Sequence, residues 1–250
     1  MVWNSIGIII FIIVCWIYTD LKFGKKKHEE NVPPFKEQPY RRGDAVFFSN
    51  GDEYFNHLLH YINKAKDHIH MQFYIFRDDL IGTEILKKLL EKAKEGVTVR
   101  LLIDFVGAKI SKKMKKKLID GGVLFKTANK PKFPFLFFRL NMRNHRKLTI
   151  IDGKFSYVGS FNVGDEYLGR DPNIGNWRDY HLFLTGEVVE DLQTQFIRDW
   201  NDADGEKITI PSIRYFPPLI PGELKIQIHS TNGAHVKEKL LSLMNKAESS

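Results

Sequence analysis

The first strong feature of the chain is an uncharged N-terminal stretch. Residues 1–19 contain no charged side chain, and residues 6–14 are apolar throughout. As a helix, this stretch would span roughly 28 Å, close to the hydrocarbon thickness of a bilayer. A cleaved signal peptide carries basic residues before its apolar run, whereas here they follow it, as Lys22, Lys25, Lys26 and Lys27. The pattern therefore predicts a single-pass transmembrane anchor over residues 1–20.

The basic residues also predict an orientation. Lysines directly after the apolar segment indicate, by the positive-inside rule, that the following residues lie in the cytoplasm. The chain is therefore predicted to be a cell-membrane protein with a cytoplasmic catalytic domain. A signal peptide, or a lipoprotein signal ending at Cys15, is the competing interpretation of the same segment.

Beyond the anchor, helical and strand-like patterns alternate. A polar, proline-containing linker is predicted over residues 21–42. Helical spacing of apolar residues is found at 54–66, 82–94 and 187–200. Strand-like patterns are found at 68–76, 97–103, 147–152, 155–159 and 179–184. This alternation predicts an α/β domain over residues 43–210, with a central mixed sheet flanked by helices.

The last part of the chain resembles an earlier part. A proline-rich stretch, residues 211–222, is predicted to be a connector. After it, the pattern Leu58-Leu59 with Asn63-Lys64-Ala65 recurs as Leu240-Leu241 with Asn245-Lys246-Ala247, at one offset of 182 residues. Chance similarity between two amphipathic helices is the alternative. We interpret residues 223–250 as the start of a truncated second lobe, so that the chain is part of a longer protein.

Composition narrows the classes of partner. The formal net charge is +8 and the pI is about 9.3, which favours anionic partners such as lipid headgroups, nucleic acid or phosphorylated small molecules. One cysteine, Cys15, excludes an intramolecular disulfide framework and a cysteine-built zinc site. The spacings of His57 with His60 and of His68 with His70 are interpreted as structural, and no metal site is predicted.

The strongest chemical motif runs from His145 to Asn162. On a strand, His145 and Lys147 point to the same face, so that an imidazole and an ammonium project together. The imidazole can attack phosphorus while the ammonium neutralises the non-bridging oxygens. Ser160 and Asn162, also two apart, can hydrogen-bond the same oxygens. The competing interpretation is a solvated basic edge strand in which the histidine has no function.

Two aspartates accompany this motif. Asp152 follows Lys147 by five residues and precedes Gly153, so a turn or charge-holding function is expected within the predicted catalytic group. Asp179 is a candidate to orient His145 and fix its tautomer.

Two further stretches fit a lipid substrate. Residues 109–117 hold six lysines, and residues 130–139 interleave basic residues with Phe133, Phe135, Phe137 and Phe138. A solvated helix face and a core strand, respectively, are the alternatives. At a membrane, both stretches would bind anionic headgroups and bury aromatic rings among acyl chains.

The motif resembles the signature of the phospholipase D superfamily, His-x-Lys-x-x-x-x-Asp followed by Gly-Ser-x-Asn, and the chain is most similar to bacterial cardiolipin synthases. The supporting phrases are Arg143-Asn144-His145-Arg146-Lys147, Ile151-Asp152-Gly153, Asn162-Val163-Gly164-Asp165-Glu166-Tyr167, Trp177-Arg178-Asp179 and Phe196-Ile197-Arg198-Asp199-Trp200. The resemblance implies a two-lobed enzyme with one motif per lobe, a site between the lobes, and neither metal nor cofactor. It implies that one histidine is the nucleophile and the other the general acid.

The resemblance also implies a reaction. A phosphatidyl group would pass from one phosphatidylglycerol to the hydroxyl of another, giving cardiolipin and glycerol, with no nucleic acid involved. The chain departs from the pattern because it holds one motif; the counterpart of His145 would fall near position 327, at the same offset. We therefore expect weak or no activity from the isolated chain unless a second lobe or a homodimer partner completes the site. A single-motif hydrolase (nuclease or lipase) acting as a homodimer, or an inactive lipid-binding fragment, are the rival hypotheses.

Overall fold

A computed structural model describes residues 2–31, 38–209, 213–231 and 236–248. The chain divides into two compact units. One holds residues 1–39, 131–142 and 229–250, and the other holds residues 40–130 and 143–228.

Within the described residues, helices and strands alternate as the hydrophobic pattern predicts. The helices are α1 (Val2–Asn31), α2 (Gly51–Lys64), α3 (Leu80–Lys94), α4 (Lys112–Asp120), α5 (Leu136–Asn141), α6 (Val188–Asp202) and α7 (Val236–Glu248). The strands are β1 (Arg41–Phe48), β2 (His68–Phe73), β3 (Phe76–Arg77), β4 (Thr98–Asp104), β5 (Ala108–Lys109), β6 (Leu124–Ala128), β7 (Leu148–Ile151), β8 (Phe155–Gly159), β9 (His181–Gly186) and β10 (Leu224–Ile226). A short 3-10 helix covers Asp165–Leu168. The predicted α/β class is confirmed.

The larger unit is built on one mixed sheet. In the part of the chain that the structure describes, its strand order is β10-β1-β9-β8-β7-β2-β4-β6. Strands β2, β4 and β6 run parallel to one another, and the remaining neighbours are antiparallel. Apolar side chains of α2 and α3 pack on one face of this sheet, and those of α6 pack on the other. The sheet is therefore a central layer with helices on both faces.

This topology gathers several strand ends at one edge of the sheet. Gln72, near the end of β2, pairs with Leu148 at the start of β7, and Leu148 also pairs with Val158 near the end of β8. Gly159, at the end of β8, pairs with His181 at the start of β9. The loops that follow β2, β4 and β8, and the segments that precede β7 and β9, consequently meet at this edge.

The helix that begins at the N-terminus extends past the predicted anchor. Helix α1 continues to Asn31, so residues 22–31 are helical, although a largely unstructured linker was expected there. Ion pairs of Lys25 with Glu29 and of Lys27 with Glu30, one turn apart, support the extra turns. The prolines at 33 and 34, on which the linker prediction rested, lie outside the described residues.

One other segment differs from expectation. Residues 136–141 form the helix α5, and not the core strand that was one interpretation of the aromatic alternation. Strand β10, in the segment that is predicted to open a second lobe, pairs antiparallel with β1. Of the predicted connector, Pro211 and Ser212 lie outside the described residues, and residues 213–221 form turns and irregular backbone.

Candidate active site

His145 and Lys147 lie in the segment that enters β7, at the edge of the sheet where the strand ends meet. The imidazole of His145 stacks on the ring of Tyr74, with the centroids 4.0 Å apart and the planes inclined by 28°. Lys147 Nζ lies 5.7 Å from the centroid of the same Tyr74 ring and donates a 2.8 Å hydrogen bond to the backbone oxygen of His145. The predicted pair is therefore brought together, on an aromatic platform supplied by the residue that follows β2.

The surroundings of the pair lower the pKa of both groups. Partial burial, and then the charge of Lys147, lower the pKa of His145, while Asp104 acts in the opposite direction. Burial also lowers the pKa of Lys147, and the charge of Asp179 opposes this. A histidine with a lowered pKa is an unprotonated imidazole near neutral pH, which is the form that can attack phosphorus.

A buried carboxylate at the end of β4 holds the segment before His145. Asp104 is about 1% exposed and accepts hydrogen bonds from the Asn144 backbone N–H and from Arg143 Nη1, both at 2.9 Å. It also accepts the backbone N–H of Val106 at 3.0 Å, which fixes the turn after β4. Sequence reasoning did not identify Asp104.

A second buried carboxylate holds the residues on both sides of His145. Asp199 of α6 accepts hydrogen bonds from Asn144 Nδ2 at 3.0 Å and from Arg146 Nη1 at 3.0 and 3.1 Å. Its remaining contacts are with Gln72 Nε2 at 2.6 Å and Gln195 Nε2 at 2.8 Å. Asp199 belongs to a phrase that supports the family resemblance, but nothing in the sequence alone connects it to His145.

The Gly-Ser-x-Asn part of the motif lies at the end of β8, beside the same edge. A Cβ at Gly159 would collide with the backbone of Tyr180 and His181, so the close approach of β8 and β9 at this pair requires glycine. The Ser160 backbone N–H donates to the Tyr180 oxygen at 2.8 Å, and its side chain remains exposed. The hydroxyl is thus available to a ligand.

Asn162 is buried and fixes the chain directly after Tyr74. Its Oδ1 accepts the Ile75 backbone N–H at 3.0 Å, and its Nδ2 donates to Tyr167 Oη at 3.1 Å. The amide nitrogen carries two N–H groups, so one of them remains to donate to a substrate oxygen. Its observed contacts serve first to position the platform under His145.

Asp152 is separated from the other predicted site residues. It follows β7 at the end opposite Lys147, roughly 17 Å along the strand. Its carboxylate accepts the backbone N–H groups of Lys66, Asp67 and His68 at 2.8–3.0 Å, and its φ of 54° places it in a turn. The structure therefore gives Asp152 a structural use, tying β7 to the start of β2, in line with the turn function that its position before Gly153 suggests.

Asp179 and His181 border the site from β9. Asp179 accepts hydrogen bonds from the Tyr180 backbone N–H at 2.9 Å and from Trp177 Nε1 at 3.4 Å. Its negative charge acts to raise the pKa of Lys147. His181 is about 1% exposed and stacks on Tyr54 with centroids 4.1 Å apart. Burial, followed by the charge of Lys147, lowers the pKa of His181 to about 3, so this ring is neutral.

The paired histidines of β2 contact protein groups on the α6 face. His68 Nδ1 lies 2.6 Å from Asp67, and His70 is hydrogen-bonded to Gln193 at 2.8 Å and to Arg100 at 3.2 Å. Both side chains are fully buried. Their arrangement fits the structural interpretation made from the sequence.

Comparison with known proteins finds a matching family and relatives in sequence. The family described as "Cardiolipin synthase, PLD-like domain" matches residues 58–200. A cardiolipin synthase of Clostridium perfringens is 43% identical over 192 residues, which are 77% of this chain and 38% of that protein. Cardiolipin synthase 2 of Bacillus anthracis is 49% identical over 164 residues, 65% of this chain and 32% of that protein. The chain thus spans between about a third and two fifths of the length of these relatives.

Solved structures share the fold at low sequence identity. A phosphatidylserine synthase of Haemophilus influenzae superposes with a TM-score of 0.53 at 18% identity, over 70% of this chain and 40% of that one. Nuc, a phospholipase D family member from Salmonella typhimurium, gives 0.50 at 19% identity, over 66% of this chain and 99% of that one. These matches extend the likeness from sequence motifs to the three-dimensional fold.

Proposed function

This chain belongs to the cardiolipin synthase family of phospholipase D-like domains, and from that premise we propose that it is the first lobe of a phosphatidyltransferase. The enzyme would join two molecules of phosphatidylglycerol to give cardiolipin and glycerol. The observation that carries this proposal is the pairing of a neutral His145 with Lys147 on the ring of Tyr74. An unprotonated nucleophile beside a cation suits attack on an anionic phosphodiester.

In the first step, a ring nitrogen of His145 attacks the phosphorus of one phosphatidylglycerol. The bond from phosphorus to the glycerol oxygen breaks, and that oxygen takes a proton from a general acid. Lys147 and the Ser160 hydroxyl would hold the non-bridging oxygens, together with the remaining N–H of Asn162. The product is glycerol and a phosphatidyl group bound covalently to His145.

In the second step, a hydroxyl of another phosphatidylglycerol attacks the same phosphorus. Its proton returns to the group that acted as the acid, the bond from phosphorus to His145 breaks, and cardiolipin is released. We propose that the acid is the histidine of a second motif. Asp179, whose charge acts on Lys147, is retained as a candidate orienting residue for the site.

The position of β10 and α7 supports a second lobe. At the 182-residue offset of the internal repeat, β1 maps onto residues 223–230 and α2 onto residues 233–246. The observed β10 and α7 lie at these places, in the same order. A second copy of the strand and helix that open the first lobe is the simplest source of this agreement. A homodimer of single-motif chains is the alternative way to supply the second histidine.

We further propose that α1 anchors the enzyme in the cell membrane with its catalytic part in the cytoplasm. Helix α1 contains a 27-residue stretch, Ser5–Asn31, that is long and apolar enough to cross a bilayer. The lysines that follow the apolar half support the cytoplasmic orientation. A cysteine placed at Lys113 in a Cys15→Ser background should resist a membrane-impermeant thiol reagent in intact cells and react after lysis; labelling of intact cells would reverse the orientation.

The reaction is tested by supplying the complete gene product with phosphatidylglycerol vesicles and measuring cardiolipin and glycerol. His145→Ala should abolish both products, whereas His60→Ala, which changes an exposed histidine of α2, should leave them unchanged. Phosphatidylglycerol labelled with ³²P, quenched in alkali, should leave a phosphohistidine on the parent protein and none on His145→Ala.

Three outcomes separate the alternatives. Undiminished cardiolipin from His145→Ala would refute the site. Phosphatidic acid without cardiolipin would indicate a hydrolase with water as the acceptor. Robust turnover by residues 1–250 as a strict monomer would refute the need for a second motif.

A further inference from the structure

The smaller unit contains a contact between the N-terminal helix and the segment that leads to the catalytic histidine. Helix α5 packs on α1 through a row of α1 residues spaced four apart, which therefore share one face of the helix. The row consists of Trp16, Asp20, Gly24 and His28. The apolar part of α1 before this row is exposed: in the most hydrophobic 18-residue window, 6% of the residues are buried.

The centre of the contact is a buried carboxylate. Asp20 is 5% exposed, and its Oδ1 accepts the backbone N–H of Phe138, in the first turn of α5, at 2.8 Å. Phe135, at the position before α5, offers no side-chain cap for that turn. Asp20 thus replaces a local cap with one from another helix, which satisfies the backbone N–H through Oδ1. Its buried Oδ2 has no hydrogen-bond partner among the described residues.

Packing on either side of Asp20 fixes the two helices against each other. A Cβ at Gly24 would lie 2.5 Å from the Cβ of Phe138, so the absence of a side chain there admits the phenylalanine. One turn before Asp20, Trp16 meets Phe137 edge to face, with centroids 5.0 Å apart. The contact therefore has a steric, a polar and an aromatic component.

This contact fixes the position of α5 along the axis of α1. Asp20 is the first charged residue of the chain, and Trp16 lies about 6 Å nearer the apolar end. If α1 spans a bilayer, as the proposed function holds, Asp20 lies at the membrane surface and Phe137 reaches below it. Around α5, Phe133 is 72% and Leu140 is 43% exposed. Lys130, Lys132 and Arg139 lie in the same segment.

We propose that α5 is an interfacial membrane element, held by Asp20 at the level of the lipid headgroups, and that its partner is a bilayer containing anionic phospholipid. Exposed apolar side chains interleaved with cations match the boundary between acyl chains and anionic headgroups. Three residues of chain separate α5 from His145. Residues 142–144, which precede His145, thus follow directly in the chain after an element that lies in the bilayer that contains the substrate.

The depth of α5 can be measured without using activity. Single cysteines replace Phe133 or Leu140 in the Cys15→Ser background, and a spin label is attached to each in the complete protein. The protein is then reconstituted in vesicles of phosphatidylglycerol and phosphatidylcholine. Collisions with oxygen and with a water-soluble nickel chelate report the depth of each label. Labels at 133 and 140 should be at least threefold less accessible to nickel than a label at Glu84, an exposed position of α3.

Asp20 provides the matched variants. Asp20→Asn keeps the oxygen that accepts the Phe138 N–H, so the label at 140 should stay at its depth. Asp20→Ala removes that oxygen and should raise the nickel accessibility of the label at least twofold. A label on the native Cys15 should remain in the bilayer in both variants, which shows that α1 is still inserted.

The outcomes distinguish this inference from the proposed function on which it rests. An aqueous Cys15 label would refute the membrane span, and the interfacial α5 with it. An embedded Cys15 with labels at 133 and 140 as accessible as the label at 84 would refute the interfacial α5 alone. An unchanged depth of α5 in Asp20→Ala would refute the holding function of Asp20.

Discussion

Replacing Asp199 should damage catalysis more than its distance along the chain from His145 suggests. In Asp199→Ala, the carboxylate that accepts from Asn144 and Arg146 is lost, and these two residues flank His145, the proposed nucleophile. Gln72 and Gln195 also lose their acceptor. The segment around His145 would then be held by Asp104 from one side only.

The magnitude follows from the burial of the two partners. Removing one member of a buried ion pair costs about 3–5 kcal/mol. The Arg146 side chain is 22% exposed against 7% for Asp199, so water recovers part of this loss, and about 3 kcal/mol is expected. For a domain of this size, that loss corresponds to a fall in Tm of about 6–12 °C. A shift of about 1 Å at the nucleophile can cost about 100-fold in rate, so we expect kcat to fall about 10- to 100-fold.

The assay separates positioning from folding. The complete gene product is measured below the Tm of every variant, with kcat and KM obtained on phosphatidylglycerol vesicles and Tm obtained in detergent. Asp199→Asn keeps one acceptor oxygen and should lie between the parent protein and Asp199→Ala. Arg198→Lys, a charge-conserving change at an exposed position on the same helix, is the matched control and should change neither quantity. A kcat of Asp199→Ala within threefold of the parent value, despite a lowered Tm, would show that Asp199 is structural only.

Three further measurements test the rest of the site. Tyr74→Phe should keep full kcat, whereas Tyr74→Ala loses the ring on which His145 stacks and should lower kcat about two- to tenfold. Equal kcat values for the two variants would refute a function of the Tyr74 ring in positioning His145. Because burial and Lys147 lower the pKa of His145, kcat/KM should rise with pH through an acid limb centred below about 6.5, and a limb centred above 7 would contradict a neutral nucleophile. Asp152→Ala removes the acceptor of three backbone N–H groups and should lower the free energy of unfolding by about 2–3 kcal/mol, measured through the Tm. The kcat per folded molecule should be unchanged, and a tenfold fall in kcat would indicate that Asp152 takes part in catalysis.

The sequence pattern was sufficient for the parts of the site that are local in the chain. The spacing of His145 and Lys147 predicted that the two groups lie together, and both lie at the ring of Tyr74, although they precede β7 and do not form part of the strand on which the prediction rested. The turn at Asp152-Gly153 between two strands was predicted from the turn preference of these residues, and β7 and β8 confirm it. The amphipathic helices α2, α3 and α6 were likewise predicted from their apolar spacing.

The parts that escaped prediction depend on contacts between distant segments. Asp104 and Asp199 lie 40 and 55 residues from Asn144, and Tyr74 reaches His145 because β2 neighbours β7 in the sheet. Periodicity identifies strands without giving their order, so it could not bring these residues together. Helix α5 escaped for a related reason: the acceptor for its first turn is Asp20, 118 residues away in the chain.

The two buried carboxylates also decide which cation faces the substrate. Arg143 pairs with Asp104 and Arg146 pairs with Asp199, so both arginine charges beside His145 are compensated within the protein. Lys147 forms no ion pair among the described residues, and its hydrogen bond goes to the backbone oxygen of His145. In the proposed reaction, an arriving phosphodiester would therefore meet the ammonium of Lys147, on which Asp179 acts through its charge without forming an ion pair. Neutralising either aspartate would remove an ion-pair partner of Arg143 or Arg146 as well as loosen the segment, so the same carboxylates bear on both the position and the electrostatics of His145.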